Sequence, residues 1–537
     1  MTRQYLLQNG LVVDGSGEEG YPGSVLVEGD RIQAVFRGPG PAVDCEVIDC
    51  TGKVIAPGFI DAHSHQDTLL FYENERAYTE PFIRQGITTY VAGNCGHAVA
   101  GLERGSPYWD KLVEDPNNRD PRARMLFPTF EEYFSHMQSY GMRQNMACLA
   151  AHGITAGSVL GMEKPERITQ DHKRRIRYLL DEALDSGCKG ISFGLGYRPD
   201  NFFSDEEVRE ASEAAIRRNK VITVHERVMS LNRPYTAGEE PENVRWTREF
   251  IELYRDSGAK LQMSHLLFVG RTAWPTYEPM MEMFDREVRE NGTDLWFDMY
   301  SYTQGFSSIQ ILCPQIFFAP PAGLYEDKET MAKIAEGMNA SFRAVGILPA
   351  DVQLCNGMVA EYAPYCGMFM DRIMEARGMN VAELYFDLYR KTNGFARIYF
   401  YVEQEERTIP DQMVHPRALY MTDARYFEGC HQIQTAYNSM PKFLRLTRET
   451  GCQPLETTIA KMTGRTADRF DLRGRGYLRE GCYADIVVFD YERIQDTSTP
   501  DRPDAEPVGI EHVFVNGSHI LSRGQLDADS RSGMILT

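Results

Sequence analysis

The sequence has no apolar run long enough to cross a membrane, because no window approaches the roughly 18 residues that a span needs. The first five residues, Met-Thr-Arg-Gln-Tyr, lack the apolar core of a signal peptide. Positive charge is also scarce, with 57 lysines and arginines against 77 aspartates and glutamates and a formal net charge of −20. Such a field repels nucleic acid and anionic membranes. We therefore predict a cytoplasmic protein that has neither as a partner.

A disulfide framework is absent too. The 11 cysteines form an odd set without paired spacing, and without an export signal they are expected to be reduced thiols. One of them, Cys95, is a candidate metal ligand. The composition, 42% hydrophobic and 25% charged, is ordinary for a folded soluble protein. At 537 residues, the chain can hold one large barrel and a satellite domain.

The two ends of the chain have the same β-like character. Residues 1–56 alternate short apolar runs with glycine-rich turns, of which Asn9-Gly10 and Gly29-Asp30 are hairpin signals. Residues 484–490 and 510–517 repeat this pattern. We predict that residues 1–56 and 475–537 pair into one small β domain, which the chain leaves once and re-enters once.

Between these ends, eight apolar runs of strand length alternate with amphipathic stretches such as 166–186 and 204–219. The predicted strands are 55–63, 87–95, 147–152, 190–196, 221–226, 261–265, 295–299 and 418–423. Alternating strands and helices indicate a parallel sheet, and eight such units predict an α/β protein with a (β/α)8 TIM-like barrel over residues 57–474. The connection 300–416 is far longer than a loop. We expect it to be an insertion with its own helices that forms a lid or part of the pocket.

Two histidines, His63 and His65, come at the end of the first predicted strand. Residues i and i+2 of a strand project from the same face, so both imidazoles could bind one metal ion. A pair of surface histidines in a turn is the alternative for this motif taken alone.

Further metal-binding residue types end other predicted strands. Cys95 ends the second, His225 and His265 end the fifth and sixth, and Asp423 ends the eighth. Catalytic residues of a (β/α)8 barrel collect at the carboxyl ends of its strands. Histidines of the core or of the surface would instead be scattered along strands and helices. The placement therefore predicts a metal centre.

These motifs resemble the amidohydrolase superfamily and, within it, the N-acyl-D-amino-acid deacylase (D-aminoacylase) group, over nearly the whole chain. The segments that carry the resemblance are Pro57 to His65, Gly93-Asn94-Cys95-Gly96, Gly190 to Leu195 with Tyr197-Arg198-Pro199, Val224 to Arg227, Ser264-His265-Leu266, and Ala484 to Asp490. The resemblance implies a metal-bearing barrel with a small β-sandwich built from both termini. It also implies a small-molecule amide substrate, and an oligomer is possible.

The resemblance further implies residue roles. A tightly held Zn²⁺ would be bound by Cys95, His225 and His265, while His63, His65 and Asp423 would surround a second, weaker metal position. Asp423 would be the general acid–base that takes a proton from the metal-bound water and delivers it to the departing amine. Asp67 is either a partner that orients a ligand histidine or a turn residue.

The predicted substrate-binding residues are Tyr197, Leu267, Tyr302 and Ser308. Leu267 stands where the deacylases commonly have a lysine for the substrate carboxylate. The sequence thus predicts a deacylase-like hydrolase with altered specificity, acting on an amide with an uncharged or bulkier amine side. A hydantoinase-, lactam- or deaminase-like enzyme is the alternative, but it calls for a lysine at a strand end, and Lys189 lies at the wrong end of its strand. A metal-free, non-enzymatic relative would lack the ligands.

Overall fold

The computed structural model describes residues 3–67, 75–114, 126–231, 233–236, 238–426 and 429–537. The N-terminal segment forms strands only, namely β1 (Gln4–Val12), β2 (Tyr21–Glu28), β3 (Arg31–Arg37), β4 (Glu46–Asp49) and β5 (Val54–Pro57). The predicted turn at Gly29-Asp30 connects β2 to β3. The hairpin predicted at Asn9-Gly10 is wrong: both residues lie inside β1, where the pairing with β2 shifts register between Leu7 and Gly10. Asn9 has a φ of 65° there, so the Asn-Gly pair forms a bulge.

Strands and helices alternate in the next part of the chain. The elements are β6 (Phe59–Asp61), α1 (Glu75–Arg84), β7 (Ile87–Ala92), α2 (Trp109–Glu114), α3 (Phe130–Tyr140), β8 (Asn145–Cys148), β9 (Ala150–Ala151), α4 (His152–Leu160), α5 (Gln170–Asp185), β10 (Gly190–Gly194), α6 (Asp205–Ala211), α7 (Glu213–Arg217), β11 (Val221–His225), α8 (Glu242–Glu252), β12 (Lys260–Met263), α9 (Tyr277–Arg289) and β13 (Asp294–Met299). The helix predicted over 204–219 begins with a capping box, in which the Ser204 side chain accepts from the Glu207 N–H, and is divided at Ser212.

The long connection 300–416 has helices and strands of its own. It contains β14 (Gly305–Ser308), α10 (Lys328–Val345), β15 (Val352–Asn356), α11 (Met370–Arg377), α12 (Val381–Thr392), β16 (Arg397–Phe400) and α13 (Thr408–Val414). The three strands form an antiparallel sheet of their own, in the order β14-β16-β15. Phe342, Tyr385 and Ile398 belong to a hydrophobic cluster that is separate from the main core. The insertion therefore has its own core.

The rest of the chain completes both sheets. It consists of β17 (Ala418–Tyr420), α14 (Thr435–Thr450), α15 (Leu455–Met462), α16 (Gly464–Arg469), β18 (Ile486–Phe489), β19 (Ile510–Val515), β20 (Ser518–Ser522) and β21 (Gln525–Leu526). β18 pairs antiparallel with β5, and the terminal sheet runs β21-β20-β19-β18-β5-β1-β2-β3, with β4 beside β1. Strands from the two ends of the chain thus lie in one sheet.

The central strands are parallel and form two sheets, β6-β7-β8 and β9-β10-β11-β12-β13-β17. β8 and β9 are almost continuous in the chain. At the other edges of the two sheets, the Ala62 N–H donates to the Tyr420 carbonyl over 3.2 Å. The protein is thus of the α/β class, as predicted. In the described part of the chain, no helix is both long and apolar enough to cross a bilayer.

The first central strand differs from its prediction over 55–63. The chain is divided at Gly58, so that β5 joins the terminal sheet and β6 pairs with β7. A side chain at Gly58 would overlap Thr88. The Gly58 N–H also donates to the Asp485 carbonyl over 2.8 Å. The Pro57-Gly58 step therefore carries the chain from one sheet to the other immediately before the two histidines.

Candidate metal centre

The six predicted metal ligands converge in two overlapping groups. The ligand atoms of His63, His65, Cys95 and Asp423 all lie within 4.8 Å of one another, as do those of Cys95, His225 and His265. His225 ends the parallel strand β11, and the other five lie within about four residues after the carboxyl ends of β6, β7, β12 and β17. The structure therefore brings these residues together at one end of the central strands.

The backbone is unusual at three of these positions. Cys95, His265 and Asp423 have φ angles of 52°, 36° and 45°, in the left-handed region that side-chain-bearing residues rarely adopt. Each such residue costs on the order of 1–3 kcal/mol and persists only where its surroundings hold it. For Asp423, the restraint is the hydrogen bond from its N–H to the His63 carbonyl (2.9 Å). Strain of this kind clusters at functional sites.

The thiol of Cys95 lies between two imidazoles. Its Sγ is 3.3 Å from His63 Nε2 and 3.4 Å from His265 Nε2. Burial alone would raise the pKa of Cys95, but the charges of His63 and His265 hold it well below its ordinary value. The thiolate is the form of cysteine that binds metals.

Two imidazoles complete this group. His225 Nδ1 faces His265 Nε2 at 2.7 Å. His265 Nδ1 is buried and has no hydrogen-bond partner among the described residues. One thiolate and two imidazole nitrogens that point at one another form a ligand set that suits Zn²⁺ and leaves a fourth position open. The residues present thus fit a zinc ion.

Asp423 joins the two halves of the site. Its Oδ1 lies 3.1 Å from Nε2 of both His63 and His65, and its Oδ2 accepts a short hydrogen bond from the Tyr300 hydroxyl. Burial opposes ionisation, yet His63 and His65 hold the pKa of Asp423 well below its usual range. The two imidazoles therefore favour the ionised form of this carboxylate.

Asp298, at the end of β13, is a site residue that the sequence reasoning missed. Its Oδ1 lies 3.2 Å from His63 Nδ1 and accepts from the His265 N–H at 2.6 Å, while its Oδ2 accepts from Gln262 Nε2 at 2.6 Å. A carboxylate at Nδ1 keeps the proton on that nitrogen and leaves Nε2 for a metal. Its position at a strand end, in Phe297-Asp298-Met299, was the available signal.

Two of the predicted pocket residues lie beside the cluster. The Tyr197 hydroxyl is 3.3 Å from His225 Nδ1, and the two rings are 4.2 Å apart. Leu267 packs in a small buried apolar cluster with Tyr300 and Met421. Tyr300, the second missed residue, thus contacts both Asp423 and this apolar surface.

The other predictions have contacts elsewhere. The Tyr302 hydroxyl donates to Asp496 and also pairs with Ser498, each at 3.1 Å. Ser308 is buried at the end of β14, opposite Arg397. Asp67 is buried too, and its main-chain carbonyl accepts from the Tyr133 hydroxyl at 3.4 Å. Their roles in binding substrate or orienting a ligand stay predictions.

A thiolate, four imidazoles and a carboxylate at the ends of parallel strands define a candidate metal centre of the hydrolytic type. The profile of an amidohydrolase family matches residues 416–520. A D-aminoacylase of Alcaligenes xylosoxydans xylosoxydans is 27% identical over 96% of this chain and 94% of its own, and the N-acyl-D-glutamate deacylase of that organism is 28% identical over 99% and 96%.

A solved structure, from work on the binuclear metal centre of D-aminoacylase, superposes with a TM-score of 0.78 at 25% identity and covers 99% of both chains. The resemblance to the amidohydrolases and to the D-aminoacylase group, which the motifs indicated, is thereby confirmed.

Proposed function

We propose that this protein is a zinc-dependent amidohydrolase that cleaves a linear amide of the N-acyl-D-amino-acid type. The observation that carries the proposal is the convergence of Cys95, His225 and His265. We assign the tightly bound zinc to these three residues. His63, His65 and Asp423, together with Cys95, offer a second, weaker metal position.

A bound zinc ion supplies a water of lowered pKa and polarises the amide carbonyl. The Asp423 carboxylate, held ionised by His63 and His65, takes the proton of the attacking water. It then transfers this proton to the nitrogen of the departing amine. Tyr300 keeps Asp423 in place through its bond to Oδ2. Tyr197 lies where its hydroxyl could contact the substrate, because it borders the cluster and is 37% exposed.

We also propose that the two parallel sheets form one closed (β/α)8 barrel. The near-continuity of β8 and β9 supports this closure at one pair of edges, and the bond from Ala62 to Tyr420 supports it at the other. The terminal sheet would fold over its own core as a small β-sandwich, because Leu7, Ile486 and Phe514 from both ends share one cluster. The proposed domains are 1–56 with 475–537, and 57–474 with the insertion 300–416.

A hydantoinase-, lactam- or deaminase-like reaction is less well supported. An enzyme with a carboxylated lysine needs that lysine at the carboxyl end of a strand, but Lys189 precedes β10. Its Nζ donates to the Asp471 carbonyl at 3.2 Å. The Lys189 side chain is therefore held at the amino end of β10.

The test is hydrolysis of small amides by the purified protein. N-acetyl-D-methionine and N-acetyl-D-glutamate are assayed with their L enantiomers as matched controls, and hydantoin and dihydrouracil represent the cyclic alternative. We expect release of acetate from N-acetyl-D-methionine, its loss after chelation, and its recovery with added zinc. Ring opening of the cyclic amides without hydrolysis of any acyl amino acid would contradict the proposal.

A further inference from the structure

One buried carboxylate near the metal centre has no role in the mechanism above. Glu403, in the insertion, is only 6% exposed. Its main chain is bound to the loops that follow β12 and β13: the Phe268 N–H donates to the Glu403 carbonyl at 3.0 Å, and the Glu403 N–H donates to the Thr303 carbonyl at 3.1 Å. These loops carry Leu267 and Tyr300, which border the metal ligands. Glu403 is thus fixed against the predicted pocket.

The carboxylate itself has space but no partner. A side chain at Gly305 would overlap the Glu403 carboxylate, so the glycine leaves room for it. Among the described residues, none acts on the ionisation of this carboxylate through a hydrogen bond. The electrostatic neighbours that act on it are His265 and Asp423, and burial raises the pKa of Glu403 to about 7. An unpaired buried carboxylate costs several kcal/mol, and a positively charged ligand would offset this cost.

Two residues beside the metal ligands carry no charge, and the arginine nearest to Leu267 in the sequence is already paired. Leu267 and Met421 are apolar. Arg271, the basic residue nearest to Leu267 in the sequence after it, is paired with Asp351 at 2.5 Å. Arg425 acts on His65 and on Tyr197, and Glu403 acts on Tyr197 as well. The pocket therefore has an acidic side at Glu403.

We propose that Glu403 is a specificity-determining residue that selects N-acyl amino acids with a positively charged side chain, an inference that rests on the function proposed above. A substrate ammonium or guanidinium group would pair with the carboxylate inside the pocket, where solvent screening is weak. An anionic side chain would be repelled by it. The selectivity would thus be opposite in sign to that named for the N-acyl-D-glutamate deacylase relative.

The experiment compares three Nα-acetyl compounds of similar length: those of D-lysine, D-norleucine and D-2-aminoadipate, each as the free acid and as the α-carboxamide. For the zinc-loaded wild type, we expect kcat/KM for the lysine compound to exceed that for the norleucine compound by at least about tenfold. Glu403→Gln should reduce this ratio about tenfold. Glu405→Gln is the matched control, since Glu405 lies in the same segment but is paired with Arg407 at 2.8 Å, and it should keep the wild-type ratio.

A wild-type ratio of one or less, or a ratio unchanged in Glu403→Gln, overturns the inference. If none of the three compounds is hydrolysed, both the proposed function and this inference are wrong. If the norleucine compound is hydrolysed faster than the lysine compound, the proposed function stands and only the role of Glu403 is wrong. If Glu403→Gln does not fold, the affinities of the wild type for the products D-lysine and D-norleucine are measured by calorimetry instead. Equal affinity for the two products contradicts the inference, and tighter binding of D-lysine supports it.

Discussion

Replacing Asp298 tests whether the residues that contact the metal ligands hold those ligands in place. Its carboxylate accepts three contacts, from His63 Nδ1 at 3.2 Å, the His265 N–H at 2.6 Å and Gln262 Nε2 at 2.6 Å. Asp298→Asn keeps the oxygen that faces His63 and His265. The Gln262 amide can rotate to present its oxygen, which has no partner in the described structure, to the new amide. The geometry should therefore survive while the negative charge is lost.

The size of the effect follows from these contacts. Partners of metal-ligating histidines are worth roughly 10- to 100-fold in metal affinity or activity, or about 1.4–2.7 kcal/mol. Asp298→Asn should lie near the tenfold end, because only the charge that favours the proton on Nδ1 is removed. Asp298→Ala should approach 100-fold, because it leaves a buried N–H of His265 and a ligand histidine without an acceptor.

The assay is competition for zinc between the metal-free protein and a chromogenic chelator, with thermal unfolding to confirm that each variant folds. Asp294→Asn is the matched control. It lies at the other end of β13, where the Asp294 carboxylate accepts from Arg469 at 2.8 Å, and zinc affinity should not change. A folded Asp298→Ala protein that binds zinc as tightly as wild type would show that Asp298 does not support the metal ligands.

Three further predictions follow from other parts of the molecule. Asp423→Asn should retain tightly bound zinc but lose about 10²- to 10⁴-fold in turnover; a rate close to wild type on an amide substrate would be inconsistent with proton transfer by Asp423. Leu267→Lys should shift preference from an uncharged α-amide towards the free acid, and a wild type that already favours the acid more than about tenfold argues against an altered pocket. Burial lowers the pKa of His512 and of His519 to about 4, so below pH 6.5 the unfolded chain binds more protons than the folded one. The contribution of this pair to stability should be complete above pH 6.5 and be lost towards pH 4, so the unfolding midpoint of wild type should fall relative to that of the double variant His512→Gln, His519→Gln. A difference in midpoint that stays constant over this range would show that the pair is not buried as described.

Much of the fold was predictable because periodicity reports local structure. Each of the eight predicted central runs overlaps a strand of the two central sheets, the run 147–152 overlapping both β8 and β9, and the terminal sheet contains strands from both ends of the chain. The boundary at Gly58 depends on tertiary contacts, namely the close approach of Thr88 and the hydrogen bond from the Gly58 N–H to the Asp485 carbonyl, which the apolar residues on both sides of it do not reveal. Likewise, Asn9-Gly10 has the composition of a hairpin turn, but pairing of β1 with β2 on both sides of it outweighs that local signal.

The site shows the same limit. His63, His65 and Cys95 could be selected because their spacing and their strand-end positions are visible in the sequence. Asp298 and Glu403 are single carboxylates without a motif, and their roles depend on which buried groups they meet. Such contacts are tertiary, and so are the positive φ angles of Cys95 and Asp423, which the sequence alone does not reveal.

The zinc content of Cys95→Ala decides whether Cys95 is a zinc ligand. Wild type and variant are purified without added metal and measured by emission spectroscopy alongside turnover. Cys148→Ala is the matched control, a buried thiol on the neighbouring strand β8 whose pKa burial raises. We expect about one zinc per chain in wild type and in Cys148→Ala, and loss of both zinc and turnover in Cys95→Ala. A Cys95→Ala protein that keeps the full zinc content but loses turnover would show that Cys95 is not a zinc ligand.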